Sequence, residues 1–196
     1  VDSPKFLRNR SNLLNKSYGS ALHKGLELMA QLTPLPYECP LKVLNGMAFH
    51  LRKNINDMNL VSDCLNRLED DVLKVLTNHD TRWVLEKHED AHSELDLWLE
   101  RESREVILDR TFIDGSSGTR WIIDYKSSRP SPQESEEQFL EREVETYREQ
   151  LFAYAEAILQ RDIALGTPRP VKTALLFPTL GRLHEVKFAS CFESSV

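Results

Sequence analysis

The segment Trp121-Ile122-Ile123-Asp124-Tyr125-Lys126 combines a buried strand with two side chains that could do chemistry. Its β-branched residues predict a strand inside a sheet, and side chains two positions apart leave a strand on the same face. We therefore expect Asp124 and Lys126 to lie side by side at the strand end. Charges placed there cost free energy unless they are compensated, so the two residues form either an ion pair or part of a functional site.

A second acid, Asp109, ends the preceding apolar run Val106-Ile107-Leu108. Segment 114–118 reads Asp-Gly-Ser-Ser-Gly, which is typical of a hairpin loop, so Asp109 and Asp124 can lie opposite one another. Two converging carboxylates offer the oxygen ligands that Mg²⁺ and Mn²⁺ prefer, and a neighbouring lysine could orient or deprotonate a water molecule. On spacing alone, ordinary ion pairs at the strand ends are the more common explanation.

The first 90 residues predict a helical part of the chain. Apolar positions recur at helical spacing, most clearly from Leu60 to Leu76. The proline-rich segment 33–40 separates a first helix from a second near 41–54, and a short helix is expected over 79–90.

Residues 91–196 predict an α/β core that holds the acids and the lysine. The expected strands are 93–101, 105–113, 119–127, 171–178 and 182–188, and the expected long helix is 134–160. The first three strands are expected to be antiparallel, and a strand after the long helix can pair in parallel through a right-handed crossover. The predicted fold class is α/β: one compact domain with a mixed central sheet flanked by helices and a helical N-terminal extension.

Composition and charge exclude several classes of protein. The 196 residues are 40% hydrophobic, which is too apolar for general disorder, and no apolar run approaches the roughly 18 residues of a membrane helix. The net charge of −6 argues against a protein that coats nucleic acid by bulk charge, although residues 1–24 carry a local +4. Residues 133–145 carry a local −5, which makes one face of the expected long helix acidic.

Three scattered cysteines, Cys39, Cys64 and Cys191, predict neither a disulfide framework nor a metal knuckle. A reducing, cytosolic setting is therefore expected. The chain does not begin with Met and has no signal-peptide pattern, so we expect a piece of a longer polypeptide.

Four short motifs occur in a fixed order along the chain: Gly19-Ser20-Ala21-Leu22-His23, then Asp109, then Ile123-Asp124-Tyr125-Lys126, then Tyr147-Arg148-Glu149-Gln150-Leu151-Phe152-Ala153-Tyr154. Together they resemble the RecB-type nuclease domain of the PD-(D/E)XK superfamily, found at the C-terminus of RecB, AddA and related UvrD/Rep-type helicase-nucleases. The likeness extends from residue 19 to about residue 188. It implies a restriction-endonuclease-like core and hydrolysis of DNA phosphodiester bonds, most simply as an exonuclease.

The resemblance assigns a role to each residue of the metal site. His23, Asp109 and Asp124 would be ligands of Mg²⁺ or Mn²⁺, together with the backbone carbonyl of Tyr125. Lys126 would position or activate water and stabilise charge on the phosphate.

Further residues are implicated on the long helix and on the strand before Asp109. Gln150 and Tyr154, four positions apart on one helix face, resemble the motif that orients Lys126 and the DNA backbone, and Tyr147 lies one turn earlier. Glu94 is a weaker candidate, because the family often has an acid on this strand. The chain has Val106 where the family commonly has glycine, so local packing of that strand is expected to differ.

The resemblance also implies partners. The expected substrate is DNA, which a helicase domain of the parent chain would deliver as a single-stranded end. That helicase domain, and not this part of the chain, would use ATP. A second helicase-nuclease subunit is a further expected partner, in double-strand break repair and recombination in the bacterial cytosol or nucleoid. The basic N-terminal segment could contact phosphates. No membrane partner is expected. The iron–sulfur version of this family needs four cysteines around the core, so three scattered cysteines predict no cluster.

Two alternatives stay open at this point. A catalytically silent member of the same fold would bind DNA or a protein without cleaving it. His88-Glu89-Asp90-Ala91-His92 also fits HExxH, in which two histidines one helical turn apart bind zinc in a metalloprotease. Its surroundings are unfavourable, since the segment continues directly into a predicted strand, and we expect these histidines at a helix end near the sheet.

Overall fold

The computed structural model describes residues 4–188 of the chain, with side chains from residue 12 onward. Cys191 and the side chains of Lys5, Arg8 and Arg10 lie outside the described residues, so the predicted basic segment is described only from Lys16 on. The chain divides into two compact units. A helical unit contains the residues up to Glu86 together with Pro178–Gly181, and a sheet unit contains Lys87–Phe177 and the residues from Arg182 onward.

The helical unit contains four helices: α1 (Pro4–Ala30), α2 (Leu41–Arg52), α3 (Met58–Thr77) and α4 (His79–Leu85). The Asp57 carboxylate caps α3 by accepting hydrogen bonds from the backbone amides of Asn59 and Leu60. Helices α1 and α2 approach closely at Gly25, which has no Cβ. A Cβ at this position would lie 2.5 Å from Sδ of Met47, so glycine permits the close approach. The apolar spacing read from the sequence thus becomes a core of buried aliphatic side chains that includes Leu22, Leu26, Met47, Leu51, Leu68, Val72 and Leu76.

The sheet unit contains five strands and one long helix in the order β1 (Glu89–Leu99), β2 (Arg104–Ile113), β3 (Arg120–Tyr125), α5 (Glu136–Ala164), β4 (Val171–Phe177) and β5 (Arg182–Val186). Spatial order follows chain order. Strands β1, β2 and β3 are antiparallel, β3 and β4 are parallel, and β4 and β5 are antiparallel. The sheet is therefore mixed, with α5 as the crossover between its parallel strands, which confirms the predicted fold class.

Helix α5 is capped at its start and tied to the sheet near its end. Ser135 and Gln138 form a reciprocal capping box at its start. Near its end, the buried Asp162 carboxylate accepts hydrogen bonds from Arg120 of β3, at 3.1 Å from Nε and 3.2 Å from an Nη atom. No helix within residues 4–188 is both long and apolar enough to cross a membrane.

One predicted element is wrong. The expected helix over 79–90 ends at Leu85, and β1 already begins at Glu89. Pairing decides the conformation here, because Glu89 lies opposite Ile113 of β2 and the His88 ring stacks on Phe112 with centroids 4.0 Å apart. Helical spacing of a few residues does not outweigh a place at the sheet edge.

Candidate metal centre

The β2–β3 hairpin brings Asp109 and Asp124 to the same end of two paired strands. Arg110 pairs with Ile123, and the next positions along the two strands are Asp109 and Asp124. The backbone N–H of Tyr125 donates to Oδ2 of Asp109 at 2.6 Å, which fixes that carboxylate. Asp124 is buried, whereas Asp109 is half-buried and stays accessible to a ligand.

Glu94 of β1 lies close to Asp109. A carboxylate oxygen of Glu94 lies within 4.8 Å of one of Asp109. The neighbouring pairs Ser93–Arg110 and Leu95–Leu108 place Glu94 across from Asp109 in the same register. Its backbone has φ +52°, a left-handed conformation that is unfavourable for a residue with a Cβ. Such strain collects at functional sites, so the conformation supports a role for Glu94 beyond sheet formation.

Lys126 is held beside Asp124 by two contacts. Its Nζ lies 2.6 Å from Oδ2 of Asp124 and 3.4 Å from the centroid of the Tyr147 ring. The lysine side chain is only 15% exposed, so both contacts act with little screening by water. The ammonium group therefore has a defined position next to the carboxylates.

Gln150 of α5 contacts one of the acids. Its amide donates to Oδ1 of Asp124 at 3.0 Å, and Tyr154 lies one turn later on the same helix. Burial, followed by the nearby charges of Asp124 and Asp109, raises the pKa of Tyr154 to about 12. The resemblance implied that Gln150 orients Lys126; in the structure Gln150 holds Asp124, and Lys126 contacts Asp124 and Tyr147.

Two further residues carry ligand atoms that the motif predicts. His23 is half-buried on α1 of the helical unit. Tyr125 is buried on β3, and its backbone N–H donates the hydrogen bond to Asp109. Roles for the His23 imidazole and the Tyr125 carbonyl stay predictions from the motif. Val106, which replaces the family's usual glycine, is buried with Leu97 and Leu108.

The donor groups of the sheet unit fit a hard divalent cation. Glu94, Asp109 and Asp124 are carboxylates, and oxygen ligands suit Mg²⁺, Mn²⁺ and Ca²⁺ better than softer metals. Burial is the main cause of the raised pKa of Tyr154, and the negative charges of Asp124 and Asp109 add to it. A cation would offset the negative charge of these carboxylates, beside which Lys126 already places one ammonium group, 2.6 Å from Asp124.

The HExxH interpretation is not supported by the conformation of its residues. Glu89 and His92 belong to strand β1, so they do not share a helical turn. Nε2 of His92 instead lies 2.8 Å from Oδ1 of Asp90. The expectation that both histidines lie at a helix end is therefore wrong. In a strand, residues four positions apart are not one helical turn apart, so the two histidines lack the arrangement that a zinc protease needs.

The sequence reasoning missed Glu143. It was counted in the exposed acidic face of residues 133–145, yet it is only 3% exposed. Its carboxylate accepts a hydrogen bond from the Ser128 hydroxyl at 2.6 Å, which ties α5 to the loop that follows Lys126. Spacing was the available signal, since Glu143 falls four residues after buried Phe139 and eight before buried Leu151.

Comparison with known proteins bears on this arrangement. A family model described as the PD-(D/E)XK nuclease superfamily matches residues 5–190, which include all the elements from α1 to β5 except the first residue of α1. No curated protein matches the chain. The resemblance inferred from the four motifs is thus confirmed at the level of the superfamily.

Proposed function

The chain belongs to the PD-(D/E)XK nuclease superfamily, and we propose that it is a Mg²⁺- or Mn²⁺-dependent deoxyribonuclease that degrades DNA from single-stranded ends. Nucleases of this superfamily hydrolyse phosphodiester bonds and generally use divalent metal ions. The observation that carries the proposal is the contact between Asp124 and Lys126, held by Gln150 and Tyr147 beside Asp109. Decay into a silent binding module would relax the need to keep these contacts together.

Each side chain has a separate task in the proposed reaction. Glu94, Asp109 and Asp124 would hold the metal ion, with His23 and the Tyr125 carbonyl as the further ligands implied by the motif. The ion, when bound, supplies positive charge that polarises the phosphate and favours ionisation of water.

Lys126 works on the reacting groups directly. Its ammonium can donate hydrogen bonds to the attacking water or to a phosphate oxygen, which stabilises the negative charge that grows in the transition state. Tyr147 and Asp124 restrict the lysine to one position before substrate binds. Gln150 and the Tyr125 amide restrict the carboxylates of Asp124 and Asp109 in the same way.

The biological context in this proposal rests on the motif resemblance. A helicase domain in a parent chain would unwind DNA, use ATP and pass a strand end to this nuclease, in double-strand break repair or recombination. A second helicase-nuclease subunit and a cytoplasmic, nucleoid location belong to the same proposal. Sequence preference is expected to be weak, because phosphate contacts position DNA without reading bases.

Metal binding is the first test. In titration calorimetry with Mn²⁺, we expect Asp109→Asn and Asp124→Asn to lose at least 10-fold in affinity, and His23→Ala to lose affinity as well. Asp96→Asn is the control, since Asp96 is an exposed acid on β1. Unchanged Mn²⁺ affinity in Asp124→Asn would overturn the assigned site.

DNA topology tests the mode of cleavage. Linear single-stranded DNA labelled at either end should be degraded with Mg²⁺, whereas circular single-stranded DNA should resist. Rapid cutting of the circle would show an endonuclease instead. A folded protein that binds Mn²⁺ but cleaves neither substrate would be the silent member of the fold.

A further inference from the structure

Helix α2 presents a row of cations around an aromatic ring on its solvent-facing side. We name Lys42, Asn45, Phe49, Arg52 and Lys53 the basic stripe. All five side chains are exposed, and Phe49 is 64% exposed. Their spacing of three to four residues, with Lys53 next to Arg52, places them along one side of the helix over about 16 Å.

Packing of the helix does not account for this composition. The opposite face of α2 carries Val43, Met47, Ala48 and Leu51, which are buried and hold the helix in the core of its unit. Among the described residues, no ion pair involves Lys42, Arg52 or Lys53. Nζ of Lys53 instead lies 5.0 Å from the centroid of the Phe49 ring.

Charge around the stripe is positive although the chain is acidic. From Leu41 to Asn56 the sequence has no Asp or Glu, within a chain of net charge −6. Lys24 of α1 adds a further cation near His50, and the acid on that side, Glu27, is 2.7 Å from Lys24. Burial first, and then the charges of Lys53 and Lys24, lower the pKa of His50, while Glu27 acts in the opposite direction.

We propose that the basic stripe binds single-stranded DNA, with phosphates on Lys42, Arg52 and Lys53 and an unpaired base stacked on Phe49. Cations interleaved with an exposed aromatic ring form the usual surface for single strands, because every base has a face that can stack. Duplex DNA keeps its bases inside the helix and cannot use the ring. This inference rests on the proposed function for the identity of the ligand.

Binding of labelled oligo-dT in EDTA, measured by fluorescence anisotropy, tests the stripe without cleavage. Phe49→Ala should weaken binding by about 10-fold, within the range for loss of one stacked base. The triple variant Lys42→Gln/Arg52→Gln/Lys53→Gln should reduce the slope of log affinity against log salt by about 2, since each phosphate contact on a single strand contributes about 0.7. Duplex DNA of the same length should bind more weakly than oligo-dT to the wild type.

Two controls match the variants in type and charge. Tyr37→Ala removes an aromatic side chain that is 73% exposed in the same unit. Arg101→Gln/Lys172→Gln/Arg182→Gln removes three exposed cations of the sheet unit and changes the net charge equally. Both should leave the affinity for oligo-dT within about twofold of the wild type.

Hydrolysis of bis(p-nitrophenyl) phosphate separates this inference from the proposed function, because that small diester needs no polymer binding. Stripe variants that bind oligo-dT like the wild type would overturn the inference, even if the wild type hydrolyses the diester. Stripe variants that lose DNA binding would support it, even if no protein hydrolyses the diester. Equal loss of oligo-dT affinity in the control triple variant would also overturn the inference. So would stripe variants that keep the affinity of the wild type for oligo-dT but lose binding to phosphatidylserine vesicles, since the stripe would then bind a membrane surface.

Discussion

Glu94 holds a strained backbone conformation beside Asp109, and its substitution should separate stability from metal binding. Glycine adopts φ +52° without steric cost, so Glu94→Gly should raise the free energy of unfolding by about 1 kcal/mol. The same change removes a carboxylate, so Mn²⁺ affinity should fall at least 10-fold. Urea denaturation and titration calorimetry measure the two effects.

Ser103 supplies the matched control for this prediction. It has φ +48° in the exposed turn between β1 and β2. Ser103→Gly should gain comparable stability and keep the affinity of the wild type for Mn²⁺. A lower free energy of unfolding in Glu94→Gly would contradict the strain argument. An unchanged affinity of that variant for Mn²⁺ would show that Glu94 is not a metal ligand.

Tyr154 should make the metal-free protein sensitive to alkaline pH. Its pKa is raised to about 12 in the folded state, against about 10 for an unfolded tyrosine. Between these values unfolding releases a proton, so stability falls as the pH rises from 10 to 12, by about 2 to 3 kcal/mol from this group. Tyr154→Phe should abolish that part of the decline in urea denaturation with EDTA, and an unchanged decline would refute the assignment.

At the scale of residues, chemical type predicted more than burial did. Asp109 and Asp124 could be identified because each follows an apolar run, and Lys126 because it lies two positions after Asp124. The expectation that both acids end a strand holds for β3 but not for β2, which continues past Asp109 to Ile113. Glu143 could not be identified, because a glutamate on an acid-rich helix looks exposed until its partner Ser128 is known. The contact of Gln150 with Asp124 likewise depends on how α5 sits on β3.

At the scale of elements, the buried pair of Arg120 and Asp162 fastens α5 to β3. Their side chains are 2% and 0% exposed. Asp162→Ala leaves the guanidinium buried with one carboxylate fewer, so it should lower the free energy of unfolding by about 3 to 5 kcal/mol. The exposed pair of Lys172 and Glu185 is the comparison: Glu185→Ala should cost less than about 1 kcal/mol in the same denaturation assay. Similar losses in the two variants would mean that burial of the pair has no special weight.

Periodicity predicted the elements well where it extended over several turns or a full strand. Helix α5 and strands β2 and β3 lie within a few residues of the predicted bounds, and α3 contains the apolar pattern from Leu60 to Leu76. The prediction that the helix continues after Leu85 was wrong, because pairing of Glu89 with Ile113 outweighs a local helical pattern. Order along the chain also indicated that a strand after the long helix can pair in parallel with an earlier strand, and in the structure this pair is β3 and β4.

At the scale of the whole molecule, an acidic protein can still act on DNA if its positive charge is concentrated. The net charge of −6 excludes coating by bulk attraction, and that conclusion needed only the composition. The basic stripe was not predicted, because its cations stand out only when the buried face of α2 is known. The sequence directed attention to residues 1–24 instead.

Cleavage of end-labelled single-stranded DNA by the wild type and by Lys126→Ala tests the central claim most directly, with Mg²⁺ and with EDTA. Lys172→Ala is the control, since it removes an exposed lysine of the same sheet. Loss of the ammonium that stabilises transition-state charge should reduce the rate at least 100-fold in Lys126→Ala, whereas Lys172→Ala should cleave like the wild type and EDTA should stop all three proteins. Cleavage that continues in EDTA, or at an unchanged rate in Lys126→Ala, would contradict the account.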